Sequence, residues 1–275
     1  MGATVARRGQ AVMTAADPLV IADDVTAGSP KLEVRGLHVE FGSLEVIRNL
    51  SLSAREGEFV SILGPSGCGK TTTFSVLNRA VRPTSGDVLL DGAPLPGRPG
   101  QFAYMPQQDA LLPWRRIIDN LTLGLEVQGV RRREARARVA PLLATFGLEG
   151  FEQSYPFELS GGMRQRAALL RTVVQQRSVL LLDEPFGALD ALTRAEMQRW
   201  VEGVWEQFQW TVLLITHDVR EAIFLSDRIY VFSRRPATVV SEIHVPLPRP
   251  RTLHTLTDPK FAEIESTLLG QLLDG

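Results

Sequence analysis

The sequence contains very little cysteine and lysine. Cys68 is the single cysteine, which excludes an intrachain disulfide and a metal cluster held by several thiolates, and a reducing compartment is expected. Lysine occurs only as Lys31, Lys70 and Lys260, and arginine supplies the remaining cationic charge. A lysine inside a glycine-rich loop therefore does not reflect a general abundance of lysine.

The sequence also lacks long apolar runs and an excess of either charge. No stretch reaches the roughly 18 consecutive apolar residues that a membrane-spanning helix needs. The net charge of −1 gives no support to nucleic-acid binding as the main activity. With 275 residues, of which 44% are hydrophobic, the chain can bury a full core. We expect a globular, soluble protein with one large domain, or with a core and a subdomain.

The remaining sequence predicts alternating strands and helices. Residues 1–30 are expected to be a disordered leader, because no continuous apolar segment follows the early arginines. Residues 31–53 alternate apolar and polar side chains, which predicts antiparallel strands. Apolar runs at 58–63, 179–182 and 211–215 are typical of parallel strands buried on both faces. Further short strands are predicted at 88–90, 102–105, 229–232 and 239–245.

The predicted helices cover the segments between these strands. They span 71–81, 117–125, 132–146 with a break at Pro141, and 192–208. Residues 245–250 are rich in proline and predict an extended linker. Apolar residues then recur at helical spacing from Phe261 to Leu272, which predicts a short amphipathic helix.

A glycine-rich loop follows the predicted strand at 58–63 and opens a helix. The loop consists of Gly64, Pro65, Ser66, Gly67, Cys68, Gly69, Lys70 and Thr71, and Thr72 comes next. Glycines let the backbone N–H groups face inward, and the helix adds the positive end of its dipole, so the loop predicts a phosphate site. Lys70 can reach β and γ phosphates, and the Thr71 hydroxyl is placed to hold Mg²⁺. The alternative is a glycine-rich turn without a ligand.

Three polar residues end two other apolar runs. Asp183 and Glu184 follow the run at 179–182, at the carboxyl end of a buried strand, where open parallel sheets bind ligands. Asp183 is predicted to orient Mg²⁺, and Glu184 to accept a proton from an attacking water or to align it. His217 ends the run that begins at Thr211 and is expected to donate to a γ-phosphate oxygen. The alternatives are a helix cap by the acids and a structural histidine.

A second glycine turn opens a helix at Ser160, Gly161 and Gly162. It has a hydroxyl and free N–H groups at the helix start, which predicts a second anion site. Because one nucleotide needs one phosphate loop, this site is predicted to serve a nucleotide held by another subunit. The alternative is an ordinary helix cap by Ser160.

In order and spacing, the motifs over residues 32–235 resemble the ATP-binding subunits of ABC transporters. The resemblance implies an α/β fold with a P-loop NTPase (RecA-like) core, an antiparallel β subdomain and an inserted helical signature subdomain at about residues 110–167. It makes residues 64–71 the Walker A loop, 159–166 the signature, Asp183 the end of the Walker B strand, Asp190 a D-loop residue and His217 the switch histidine. The implied cofactors are ATP and Mg²⁺.

The resemblance also assigns two residues outside these motifs. Phe41 matches the aromatic residue that stacks on adenine, and its alternative role is that of a core residue. Gln107 matches the Q-loop glutamine, which contacts Mg²⁺ and senses the γ-phosphate, by its distance from Trp114, although Gln108 stands beside it. Cys68 lies among the phosphate-facing amides, an environment that favours the thiolate, so maleimide is expected to block turnover and ATP to protect.

Met163 and three segments, 111–114, 185–190 and 245–251, resemble the nitrate/sulfonate/taurine branch of bacterial importers, which includes importers of thiamine pyrimidine precursors. This implies a homodimer at the cytoplasmic face of the inner membrane, which drives a separate permease served by an extracytoplasmic solute-binding protein, with no nucleic acid bound. The implied domains are an ATP-binding domain at 31–240 and a C-terminal extension at 241–275.

Other ABC proteins provide the alternative interpretation, a soluble ATPase that acts on a non-transport partner. The DNA-repair type needs a long coiled-coil insertion, and only about ninety residues separate Lys70 from Ser160. The apolar residues Leu111, Leu112 and Trp114 are expected at the surface, where they would border a groove for a short permease helix. Their alternative role is to pin the helical subdomain to the core.

Overall fold

The computed structural model describes residues 19–20 and 29–274. Most of the predicted leader lies outside the described residues. The strands, in chain order, are β1 Leu19–Val20, β2 Leu32–Phe41, β3 Leu44–Ala54, β4 Phe59–Leu63, β5 Ser85–Leu90, β6 Ala93–Pro94, β7 Ala103–Met105, β8 Val179–Asp183, β9 Thr211–Thr216, β10 Arg228–Phe232 and β11 Val239–His244. The α-helices are α1 Lys70–Leu77, α2 Ile117–Leu121, α3 Leu123–Val127, α4 Arg132–Val139, α5 Gly161–Val173, α6 Ala191–Phe208, α7 Val219–Leu225 and α8 Pro259–Asp274.

The strands form two sheets. The larger has the order β1-β11-β10-β4-β9-β8-β7, and its five strands from β10 to β7 run parallel. β1 pairs in parallel with β11, so this short part of the expected leader is ordered as a strand. The smaller sheet is antiparallel, with the order β3-β2-β5-β6. The predicted antiparallel strands at 31–53 and the parallel runs are therefore both present.

The larger sheet separates two apolar cores. Along β8, Leu180 and Leu182 pack on one side, with the helices α2 to α6, whereas Val179 and Leu181 pack on the other side, with α1 and the smaller sheet. Successive side chains of a strand point to opposite faces, so only a strand that is apolar throughout fills both cores. Every residue of β4, β8, β9 and β10 is buried.

The helices differ from the predicted ones at three ends. α1 ends at Leu77 rather than near residue 81, because Arg79 adopts a left-handed backbone conformation with φ 62°. The predicted helix at 117–125 is divided into α2 and α3 at Thr122. α4 ends before Pro141, as expected from the predicted break, but only a short 3-10 turn at Ala140–Leu142 follows, so the helix does not continue to residue 146. Among the helices that the structure describes, none is long and apolar enough to cross a membrane.

The connection before α2 places its large apolar residues on opposite sides. Leu111 is buried in the core that contains Ile117, so its predicted surface position is wrong. Trp114 is 73% exposed, as expected. Asn120 holds this turn: its Oδ1 accepts a hydrogen bond from the Leu112 N–H (2.7 Å), and its Nδ2 donates to the Leu112 carbonyl (3.1 Å).

Two arginines attach the proline-rich segment after β11 to the core. The Arg249 guanidinium lies 3.9 Å from the ring centre of Trp205 and forms ion pairs with Glu202 and Asp227. Arg251 is buried and donates to three carbonyls at the end of α7, those of Ile223, Phe224 and Ser226. The segment is therefore extended, as predicted, but fixed to the helix that follows His217.

Candidate functional site

The glycine-rich loop connects the buried strand β4 to α1. Gly67 and Gly69 have φ values of 71° and 134°, which side chains rarely allow. A side chain on Gly69 would also stand 3.2 Å from the Ala237 Cβ and from the Val46 carbonyl oxygen. The loop therefore requires glycine both for its backbone conformation and for its packing.

Lys70 begins α1 and is buried, with its side chain turned back over the loop. Its Nζ donates to the carbonyl oxygens of Gly64 (2.7 Å) and Pro65 (2.9 Å). The helix cap, Gly69, has no side chain to bond the first N–H groups of α1. A cation and unpaired helix N–H groups thus surround one concavity, as a polyphosphate requires.

Cys68 does not have the environment expected from the sequence. Its side chain is 2% exposed and belongs to the apolar core that contains Phe74 and Phe232. Burial raises the pKa of the Cys68 thiol above its ordinary value, and the smaller effects of Lys70 and of nearby backbone N–H groups do not reverse this. The predicted reactive thiolate is therefore wrong, because the thiol points into the core and not toward the phosphate concavity.

Asp183 ends β8 beside the start of α1. It is buried, and its oxygens lie 3.5 Å from the Thr71 hydroxyl and 3.2 Å from the Tyr104 hydroxyl. Burial raises the pKa of Asp183 above its ordinary value, against the lowering effect of these hydrogen bonds. Burial and Asp183 together raise the pKa of Tyr104 to about 12, so Tyr104 remains a neutral hydrogen-bond donor at physiological pH.

One carboxylate oxygen of Glu184 contacts two of the other predicted residues. Its Oε2 lies 3.3 Å from Gln107 Nε2 and 3.0 Å from His217 Nδ1. Because a carboxylate only accepts hydrogen bonds, Nδ1 carries the proton in this contact. Glu184 has φ 44°, a left-handed conformation that is strained for a residue other than glycine. The strand end, the Q-loop and the strand before α7 therefore meet at this side chain.

These residues line a single cleft of about 560 Å³. The cleft contains nine of the predicted site residues, namely Ser66, Gly67, Gly69, Lys70, Thr71, Thr72, Gln107, Glu184 and His217. Gln107, rather than its neighbour Gln108, is the glutamine that faces it. Val46 and Arg235 also line the cleft, and neither was predicted from the sequence. Arg235 follows the carboxyl end of the parallel strand β10, so the rule that identified Asp183 and His217 applied to it as well.

The other predicted residues fall into two groups. Gly64, Pro65 and Asp183 do not line the cleft but are bonded to its residues Lys70 and Thr71, whereas the signature and D-loop residues lie outside it. Ser160 caps α5, where its hydroxyl accepts a hydrogen bond from the Met163 N–H (3.2 Å). Asp190 caps α6 in the same way, by accepting from the Leu192 and Thr193 N–H groups (both 3.1 Å). Gly162 packs on α6, since a side chain there would stand 3.2 Å from the Thr193 Cγ2. The signature and the D-loop residue thus form a second surface.

Phe41 ends β2 and is 49% exposed, which excludes the alternative role as a core residue. It is not among the residues that line the cleft. The structure therefore leaves its predicted contact with adenine untested.

Comparisons with known proteins agree with this geometry. A model of the ABC transporter family matches residues 47–187. The chain is 44% identical over 213 residues to the formylaminopyrimidine import ATP-binding protein ThiZ of Halalkalibacterium halodurans, which covers 78% of this chain and 83% of that protein. It is 43% identical over 238 residues to the taurine import ATP-binding protein TauB of Burkholderia pseudomallei, which covers 84% and 91%.

A further relative and a solved structure extend the comparison. The aliphatic sulfonates import ATP-binding protein SsuB of Pseudomonas fluorescens is 41% identical over 242 residues, 88% of this chain and 86% of that protein. The dimeric structure of MJ0796, a bacterial ABC transporter cassette, superposes with a TM-score of 0.67 at 27% identity and covers 79% of this chain and 100% of that one. The predicted P-loop fold and the predicted importer branch are both confirmed. The chain therefore belongs to the ABC transporter family, in the branch of import ATP-binding subunits, and it binds and hydrolyses ATP.

Proposed function

We propose that this ATPase works as a homodimer and energises the uptake of a small solute by a separate membrane permease. The observation that carries the proposal is the division of its motifs between two surfaces. Lys70 and Glu184 line the cleft, whereas Ser160 and Asp190 lie outside it. In a two-fold dimer, the signature of one subunit would close the cleft of the other. The dimeric state of the MJ0796 cassette supports this arrangement.

The residues around Asp183 fit a Mg²⁺ ion. Hard divalent cations prefer oxygen ligands, and the oxygens available are those of the Thr71 hydroxyl, the Asp183 carboxylate and the Gln107 amide. The hydrogen bonds to Asp183 come from the neutral hydroxyls of Thr71 and Tyr104, which leave its charge to be balanced by a cation. When bound, the ion would neutralise charge on the β- and γ-phosphates.

The proposed chemistry assigns one task to each side chain of the cleft. Lys70 and the loop N–H groups hold the phosphates. Glu184 accepts the proton of the attacking water, and Gln107 positions Glu184 through its amide. His217 holds Glu184 through Nδ1, and its Nε2 donates to a γ-phosphate oxygen when the imidazole is protonated.

A groove beside the Q-loop fits the proposed permease contact. Its volume is about 610 Å³, and it lies between the edge strand β7 and α3. Tyr104 forms part of one wall, and Val127, which is 81% exposed, forms part of the other. The same Tyr104 donates to Asp183, so the wall of the groove is bonded to the end of β8, directly before the cleft residue Glu184. A short apolar helix of the permease would cover the exposed Val127 side chain. Leu111, Leu112 and Trp114 do not line this groove, and Trp114 is a separate exposed apolar residue in the connection before α2.

The proposed solute is a small molecule, either nitrate-, sulfonate- or taurine-like or a thiamine pyrimidine precursor. The named relatives import formylaminopyrimidine, taurine and aliphatic sulfonates at 41–44% identity to this chain, so the cassette sequence does not separate these solutes. The chain would then act at the cytoplasmic face of the inner membrane, with an extracytoplasmic binding protein supplying the solute to the permease.

Crosslinking within a complex of this chain and its candidate permease subunits tests the proposal. Trp114→Cys in a Cys68→Ser background is combined with single cysteines in the cytoplasmic loops of the permease. We expect a crosslink whose yield changes when ATP is added. Absence of any crosslink in both nucleotide states, in a complex that still hydrolyses ATP, would place the coupling surface elsewhere. ATP-driven uptake by the same complex in vesicles then identifies the solute.

A further inference from the structure

Arg235 is a cleft residue that none of the motifs includes. It lies three residues after the end of β10, and its side chain lines the nucleotide cleft together with Gly67 and Lys70. Its Nη2 lies 3.7 Å from the position that a side-chain carbon on Gly67 would occupy. The cleft thus contains a second permanent cation besides Lys70.

The turn that carries Arg235 is hydrogen-bonded to β3 and packs against the phosphate loop. The Ala237 N–H donates to the Val46 carbonyl (2.9 Å), and the Ala237 carbonyl accepts from the Arg48 N–H (3.0 Å). A side chain on Gly69 would meet the Ala237 Cβ at 3.2 Å, so the turn and the loop are in direct contact. Within the turn, the Ser233 Oγ accepts from the Thr238 N–H (3.0 Å). The long arginine side chain therefore reaches the cleft from a fixed backbone.

The surroundings of Arg235 favour an anionic ligand. None of the ion pairs among the described residues joins Arg235 to a carboxylate. The positive charge of Arg235 also acts on the phosphate loop: it lowers the pKa of the Cys68 thiol, although burial raises that pKa by more. A guanidinium that faces a phosphate concavity can bond two oxygens at once through its planar fork.

We propose that Arg235 binds the α- and β-phosphates of the nucleotide. Arg235 contacts the Gly67 side of the cleft, whereas Gln107 and His217 are both bonded to Glu184, where the γ-phosphate is attacked. Arg235 and His217 therefore act on different parts of the same phosphate chain. This assignment depends on ATP binding alone and is independent of the permease and the solute.

Competition titrations against a fluorescent ATP analogue test the assignment on the full-length chain. The competitors are ATP, ADP and adenosine, and the variants are Arg235→Gln and Arg234→Gln. Arg234 is the matched control, because it is the adjacent exposed arginine and does not line the cleft. We expect Arg235→Gln to lower the affinity for ATP and for ADP by about tenfold and to leave the affinity for adenosine unchanged. Arg234→Gln is expected to behave as wild type with all three competitors.

Two further measurements sharpen the result. Arg235→Lys should recover part of the lost affinity, because it restores the charge without the fork. The difference in ATP affinity between Arg235→Gln and the wild-type chain should become smaller as ionic strength rises, since salt screens an exposed cation. Arg235→Gln could also lower the melting temperature. The ratio of ADP affinity to adenosine affinity then still tests the phosphate contact, because a smaller folded fraction lowers both affinities by the same factor.

Two outcomes would overturn the proposal. One is ATP and ADP affinity in Arg235→Gln equal to that in Arg234→Gln, which would leave Arg235 beside the cleft without a role in binding. The other is an equal loss of affinity for adenosine, which would move the contact from the phosphates to the base or ribose. Both outcomes leave ATP binding by the wild-type chain, and hence the proposed transport function, untouched.

Discussion

Two helices of this chain begin directly after a glycine turn, yet their first turns are bonded differently. At α1 the cap is Gly69, which has no side chain to bond the helix N–H groups, and the buried Lys70 folds back over the loop. At α5 the cap is Ser160, whose hydroxyl already accepts a hydrogen bond from the Met163 N–H. The same sequence pattern therefore produces one helix start without a side-chain cap and one in which the cap bonds a single N–H group, that of Met163.

This difference explains how the second start can still bind an anion. A serine hydroxyl has one proton and two lone pairs, so Ser160 can accept from Met163 and donate its own proton outward at the same time. It can therefore contact a phosphate of a neighbouring subunit without giving up the cap. The start of α1 cannot serve in this way, since it faces the cleft of its own chain.

Glu184→Gln should have the largest effect, because it removes the proposed proton acceptor while the α1 site stays intact. We expect turnover to fall by about a thousandfold, with ATP affinity within a few-fold of wild type. The uncleaved ATP should hold two chains together, so size-exclusion chromatography with ATP should show a dimer. Glu196→Gln is the control, since Glu196 is an exposed acid on α6.

A chain with Glu184→Gln that hydrolyses ATP at the wild-type rate would contradict the role of Glu184. A Glu184→Gln chain that has lost turnover but stays monomeric with ATP would contradict the shared site. The starts of α1 and α5 would then not bind the same nucleotide across a dimer. The two measurements therefore separate the chemistry from the assembly.

Lys70→Ala should have the next largest effect, this time on binding. Because a charge-assisted contact to two phosphates is lost, we expect the affinity for ATP, measured by equilibrium titration, to fall by about a hundredfold. Lys260→Ala is the matched control, because Lys260 is exposed at the start of α8. Wild-type affinity in Lys70→Ala would show that the N–H groups of α1 hold the phosphates without the cation.

Ser160→Asp tests the α5 start with its helix cap preserved. Aspartate caps helices as well as serine does, so the melting temperature should stay within a few degrees of wild type. Its charge would repel a phosphate from another subunit, and we expect turnover to fall by tenfold or more, with unchanged ATP binding by the single chain. A mixture with Lys70→Ala should recover activity, because a mixed dimer contains one complete site.

Weakened ATP binding by monomeric Ser160→Asp, of the size found in Lys70→Ala, would contradict the comparison. The two helix starts would then serve the same cleft.

The sequence predicted the cleft through one geometric rule and missed residues where that rule was not applied. Asp183 and His217 were found because they end apolar runs that form parallel strands, and the sheet brings these ends together. Arg235 obeys the same rule on β10 but stands three residues beyond the strand, on a turn whose path depends on contacts with Gly69 and Val46. Tyr104 lies inside the short strand β7, and only the pairing of β7 with β8 brings its hydroxyl to Asp183.

Side-chain direction within a loop was the least predictable feature. Motif spacing places Cys68 next to phosphate-binding amides, but it does not say which way the side chain of each loop residue points. Leu111 shows the same limit, since its backbone lies in a connection while its side chain reaches the core. In both cases the backbone position followed from sequence, and the direction followed from packing.

The Cys68 thiol should show the smallest effect and gives the last test of the α1 start. Because burial raises the pKa of Cys68 above its ordinary value of 9.0, little thiolate exists at neutral pH, and the rate of maleimide labelling should still be rising with pH at 9.0, where the rate for an ordinary thiol begins to level off. Trp114→Cys in a Cys68→Ser background supplies an exposed reference thiol in the same fold, since Trp114 is 73% exposed. We expect Cys68 in the wild-type chain to label at least about tenfold more slowly than this reference, and saturating ATP to leave its rate within about twofold. Rapid labelling of Cys68 that ATP suppresses would mean that the thiol faces the phosphates after all. The N-terminus of α1 would then stabilise the Cys68 thiolate as well as the bound phosphates.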